Sequence, residues 1–92
     1  MSAAVGRMLV EALVWVMYVM DQADEDLIDT DTVVSWMEDV AYLVGRLAPE
    51  DRRELLTMVQ RLAAETADGR MRSAYLAFIP GYGLDEQDKD ED

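Results

Sequence analysis

A chain of 92 residues with no cysteine and no histidine excludes disulfide staples and leaves zinc without its usual ligands. Hydrophobic residues at 51% place it outside the disordered class, and a net charge of −12 sets it against nucleic acid and anionic membrane surfaces. One domain of this length buries only a modest core, so helix packing or a partner subunit has to supply stability.

The acid is concentrated in two places. Residues 21–31 hold six acids and no base, and residues 85–92 hold six acids and one lysine. The remainder is close to neutral, with eight acids against seven arginines. Such segregation favours a fast, salt-sensitive encounter with a basic protein surface.

The first element is the apolar run from Val5 to Met20. A membrane span needs about 20 apolar residues, whereas the longest uncharged stretch of this run is Ala12 to Met20, with Arg7 and Glu11 before it. A signal peptide is disfavoured by the single early base, Arg7. Asp21, Gln22, Ala23 and Asp24 also make a poor cleavage site. The expected location is therefore cytoplasmic, with no membrane partner. Val14, Val16, Tyr18 and Met20 alternate in a way that suits a strand, but a run this long predicts a helix, with Ser2 as its N-cap. A helix apolar around most of its circumference is expected to be buried. With few other helices to surround it, a homodimer seam through Leu9, Leu13, Val16 and Met20 would finish the burial.

The second helix begins among Asp29, Thr30, Asp31 and Thr32, all with N-cap chemistry. Val33, Trp36, Met37, Val40, Val44 and Leu47 form its predicted core stripe; Glu38, Asp39 and Arg46 lie off it. Capping accounts for Asp29 and Asp31. It leaves Asp21, Asp24, Glu25 and Asp26 unexplained, and these are the candidate partner-binding residues.

The third helix opens with Pro49, whose missing N–H costs nothing at the first helical position, and with Glu50 and Asp51 in the first turn. Leu55, Leu56, Val59, Leu62 and Ala63 make its stripe, and Arg61 with Glu65 is an i, i+4 pair. Ala67, Asp68 and Gly69 break the helix. A shorter fourth helix is predicted from Arg70 to Phe78, ended by Pro80 and Gly81. Tyr82 and Leu84 should then fold back on the body. The predicted fold is all-α: a compact bundle of three main helices and a short fourth in one domain, residues 1–84, followed by a disordered acidic tail, residues 85–92.

Catalytic chemistry has little to work with. Ser35 and Ser73 have no histidine to activate them, and Lys89, the sole lysine, lies in the predicted tail. No catalytic residue, cofactor or metal ligand is assigned. The segment DQADEDLIDTDT has the length of an EF-hand loop. It places Ala23 at a ligand position, Asp26 where the turn glycine belongs and Thr32 where a bidentate glutamate belongs. It reads instead as a solvated acidic loop. Met8, Met17, Met20, Met37, Met58 and Met71 fall on or near apolar stripes and are expected in the core, as are Trp15 and Trp36.

The stretch AYLVGRLAPEDRRELLTMVQRLAAE, followed by AYLAFIPGYGLDE, resembles a group of small acidic helical proteins from high-GC bacteria. In that group a helix opened by Pro-Glu-Asp precedes a short helix that ends in an Ile-Pro or Leu-Pro turn, then Gly-Leu and acids. The resemblance covers Ala41 to Glu86 and implies no activity. The expected function is a non-catalytic acidic protein-binding module that inhibits a basic partner, as an immunity or antitoxin-like protein does. The alternative is a structural or adaptor protein that acts by homo-oligomerisation through its first helix.

Overall fold

The computed structural model describes residues 2–85. Helix α1 is Ala3–Gln22, α2 is Thr30–Gly45, α3 is Pro49–Glu65 and α4 is Gly69–Gly81. No strand occurs among the described residues. The expected all-helical class holds, and length decides against strand in the ambiguous run from Val5 to Met20. Residues 86–92 of the predicted tail lie outside the described residues.

Helix α1 starts as its cap chemistry requires, with Ser2 Oγ accepting from the Val5 N–H at 3.2 Å. Helix α2 starts within the expected segment, though not by side-chain capping. Asp29 holds the N-cap position without a side-chain cap bond. Its backbone carbonyl accepts from Thr32 and Val33 N–H, both at 3.1 Å, while the Thr30 hydroxyl donates to Glu25 Oε1 at 2.8 Å. Helix α3 opens on Pro49, with Glu50 and Asp51 in its first turn.

The α3–α4 corner is the best-tied part of the fold. Asp68, expected only to break α3, is the N-cap of α4, accepting from Arg70 N–H at 2.9 Å and from Met71 N–H at 3.4 Å. Arg72 reaches back to the end of α3, donating from Nη2 to the Thr66 carbonyl at 2.6 Å and from Nε to the Ala63 carbonyl at 3.3 Å. Those carbonyls belong to a helix end that lacks intrahelical partners. Helix α4 also runs further than predicted, carrying Pro80 in its last turn. Gly83 then adopts a φ of 76°, a left-handed conformation that glycine reaches without steric cost. That turn returns Leu84 to the core, where it is 0% exposed, with Tyr82 buried beside it.

The core lies where α3, α4 and the α4 turn meet. Val59, Leu62, Ala74, Tyr75 and Phe78 are buried there, and Phe78 and Tyr82 pack with ring centroids 4.3 Å apart. Helix α1 lends this core Val14 and Met17, and α2 lends it Val44.

Several expectations are corrected. Helix α1 was expected to be buried on most sides, yet only Val14 and Met17 of its residues are buried. Trp36 and Leu47 stand on the predicted α2 stripe but are exposed, because α2 meets the body mainly through Met37, Ala41 and Val44. Met8 is exposed rather than in the core. The predicted Arg61–Glu65 pair gives way to Arg7, whose Nη2 lies 2.7 Å from Glu65 Oε1. That ion pair ties α1 to the end of α3.

Candidate interaction surfaces

The first candidate surface runs along α1. Successive helical residues are about 100° apart, so Val5, Leu9, Ala12, Leu13, Val16 and Val19 share one face. Val14 and Met17, which reach the core, point away from it. The face is uncovered. Leu9 is 48% exposed, Leu13 38% and Val16 51%, and Val5, Met8 and Val19 are similarly open. Met20, the fourth expected seam residue, is half-buried and packs against the core at the edge of the stripe. Together these side chains present roughly 500 Å² of apolar surface, in the range of the largest patch on an ordinary monomer and of a size that is often functional. By length and composition α1 is also apolar enough to cross a membrane.

Trp15, expected in the core, is half-buried at the edge of this face. The Arg70 guanidinium stands 5.3 Å from its ring centroid, and the Tyr18 ring is stacked 6.1 Å away.

The second surface is the acidic connection between α1 and α2. Asp21, Asp24, Glu25 and Asp26 are all exposed, but they are not equivalent. Asp24 closes the turn through its backbone, its carbonyl accepting from Leu27 N–H at 2.9 Å and Ile28 N–H at 3.0 Å. Glu25 has a structural partner in Thr30. The loop presents Asp26 beside Leu27, which is 79% exposed. Asp21 stands apart from these three, in the last turn of α1. A carboxylate there faces the negative end of the helix dipole, so it does not serve as a cap. Its Oδ2 accepts from Gln22 Nε2 at 3.3 Å. Among the described residues no three carboxylates converge on a point that could hold a metal ion.

Asp21 also stands at the mouth of a cavity of about 60 Å³, between α1, α2 and α4. Val14, Met17, Met37, Ala74 and Phe78 wall it, and Tyr18 and Tyr82 also line it. Burial pushes the Tyr82 phenol above its ordinary pKa, and the Asp21 charge pushes it further the same way. Tyr75, also buried, is raised first by burial and then by Glu11, with Arg7 opposing. Sequence patterning could find the acids and the apolar run, but it could not find this cavity. Its walls come from three helices, and no local signal records how they meet.

Comparison of the chain with protein-family models, with curated proteins and with solved structures finds no match.

Proposed function

We propose that this protein is a non-catalytic, acidic protein-binding module, a helical bundle that works as a homodimer built on α1. The uncovered apolar face of α1 carries the proposal. It is regular, uncharged along its length and roughly 21 Å long from Val5 to Val19 at 1.5 Å per residue. Pairing the face with itself about a two-fold axis near Ala12 and Leu13 sets Leu9 against Val16 and Val5 against Met20, as an isologous interface requires. The small Ala12 at the crossing lets the backbones approach.

Charge selects the antiparallel arrangement. A parallel pair would bring two connections of six acids each side by side. The antiparallel pair separates them by roughly 28 Å along the helices, well beyond a screening length of about 8 Å at physiological salt. Covering the face on both protomers removes about 1,000 Å² from water, near the lower bound for a specific interface. Light scattering at micromolar concentration should report twice the monomer mass. A monomer at that concentration would remove the dimer. Co-sedimentation with lipid vesicles instead would assign the face to a membrane.

The acidic connection supports a further role, binding to a basic protein in the manner of an immunity or antitoxin-like inhibitor. The observation favouring it is that Asp24 and Asp26 expose carboxylates the fold does not use. Neutralising Asp21, Asp24, Glu25 and Asp26 to Asn and Gln should slow association with a copurifying basic partner more than deleting residues 85–92. The difference should shrink as salt rises. An unchanged association rate would reduce the connection to a solvated linker.

A further inference from the structure

We propose that the cavity beneath Asp21 is a receptor for one lysine side chain of the basic partner, an inference that rests on the basic-partner function above. Three features of the site match three parts of that side chain. The cavity of about 60 Å³ is several times the roughly 10–15 Å³ that one water needs. That leaves room for a short file of carbon atoms such as the four-carbon lysine stem. Its walls are apolar, so water held there makes few hydrogen bonds and is readily displaced by methylenes. Exposed Asp21 lines the cavity together with Tyr18 and Tyr82, and an ammonium group is favoured by a carboxylate and by aromatic rings.

The placement of Asp21 points the same way. A carboxylate in the last turn of a helix is opposed by the helix dipole. Among the described residues its recorded hydrogen bond is the 3.3 Å contact from Gln22. The fold therefore tolerates a charge at this place without using it, the pattern expected of a residue kept for a ligand. Arginine fits less well, because its planar fork would take both oxygens of the carboxylate at once, and Asp21 Oδ2 already accepts from Gln22 Nε2 at 3.3 Å, whereas the point charge of an ammonium needs one.

The test uses the intact protein and a small probe. Backbone amide shifts are followed by NMR while N-acetyl-lysine N-methylamide is added, with the norleucine derivative, which keeps the four-carbon stem and lacks the ammonium, as control. The lysine derivative should shift the amides of Met17, Asp21, Phe78 and Gly81 and saturate in the millimolar range. The norleucine derivative should bind about tenfold more weakly, one charge-assisted hydrogen bond being lost. Asp21→Asn should cost the lysine derivative about the same factor, with folding intact because the dipole no longer opposes that side chain. Ala77 lines the cavity and is exposed, so Ala77→Phe should block the site without disturbing the core, leaving circular dichroism unchanged. Equal binding of the two derivatives would overturn the proposal, as would shifts confined to residues 24–26, or binding that survives Ala77→Phe. Lysine-selective binding with no basic protein found would keep the site and remove the partner. A basic protein that binds Ala77→Phe as well as wild type would keep the partner and remove the site.

Discussion

Val16→Asp separates an interface role for α1 from a core role. Val16 is 51% exposed, so in the isolated protomer the aspartate can remain hydrated. Its effect on folding should stay within about 0.5 kcal/mol, as for other surface substitutions. In the dimer the two-fold axis doubles every change. Each protomer would lose roughly 80 Å² of buried apolar surface, together about 4 kcal/mol at 25 cal/mol per Å². Two carboxylates must also leave water, at several kcal/mol each. The wild-type seam gains roughly 25 kcal/mol from about 1,000 Å² of burial, less an association cost of about 4–15 kcal/mol and further side-chain ordering. Dimerisation in the micromolar range is therefore expected for the wild type. The variant should be weakened by more than about a thousandfold. Light scattering would show a monomer, and circular dichroism would show unchanged helix content. A Val16→Asp dimer of wild-type affinity would refute the placement of the seam. A variant that loses its helices would mean that Val16 supports the fold itself.

Leu84→Ala should destabilise the protein by about 2–5 kcal/mol in a urea titration, because Leu84 is fully buried although it lies beyond the last helix. Arg72→Ala removes the two hydrogen bonds to the Thr66 and Ala63 carbonyls; a loss of about 1–2 kcal/mol is expected, partial exposure holding it at the low end. Stability should also fall at alkaline pH. Tyr75 and Tyr82 have folded pKa values raised above the ordinary 10.0, so above that pH the unfolded chain ionises first and releases more protons. Their contribution is fully present below pH 10.0 and is lost as pH rises through the raised folded values. Thermal melts at pH 8 to 11 should show this decline, and Tyr82→Phe should reduce it; a decline of the same size in Tyr82→Phe would show that other groups carry it.

The two candidate surfaces were legible in the sequence to different degrees. Composition located the acids, because a run with no base between residues 21 and 31 needs no fold to be recognised. It could not separate Asp21 from Asp24, Glu25 and Asp26. That separation depends on where α1 ends and on which helices approach that end. Leu9, Leu13 and Val16, expected on a seam, are exposed, as are Val5, Met8 and Val19, while Met20 packs partly against the core. The expectation that the rest of α1 would be enclosed did not hold, since a stripe pattern records which residues are apolar and not how many neighbours arrive to cover them. Trp36 shows the same gap: helical spacing put it on a stripe, and the angle at which α2 meets the body left it exposed.

Local chemistry thus determined what local chemistry can. Helix over strand followed from the length of the apolar run, the start of α1 from Ser2, and the start of α3 from Pro49 with its acids. Each of these depends on residues within a turn or two of one another. The tertiary structure alone decided what depends on distant chain segments meeting. It took Glu65 from Arg61 and gave it to Arg7, and set Arg72 over the end of α3. It returned Leu84 to the core through one left-handed glycine, and it placed a cavity under Asp21. Periodicity carries no record of such meetings, because the free energy that selects them comes from apolar surfaces excluding water together.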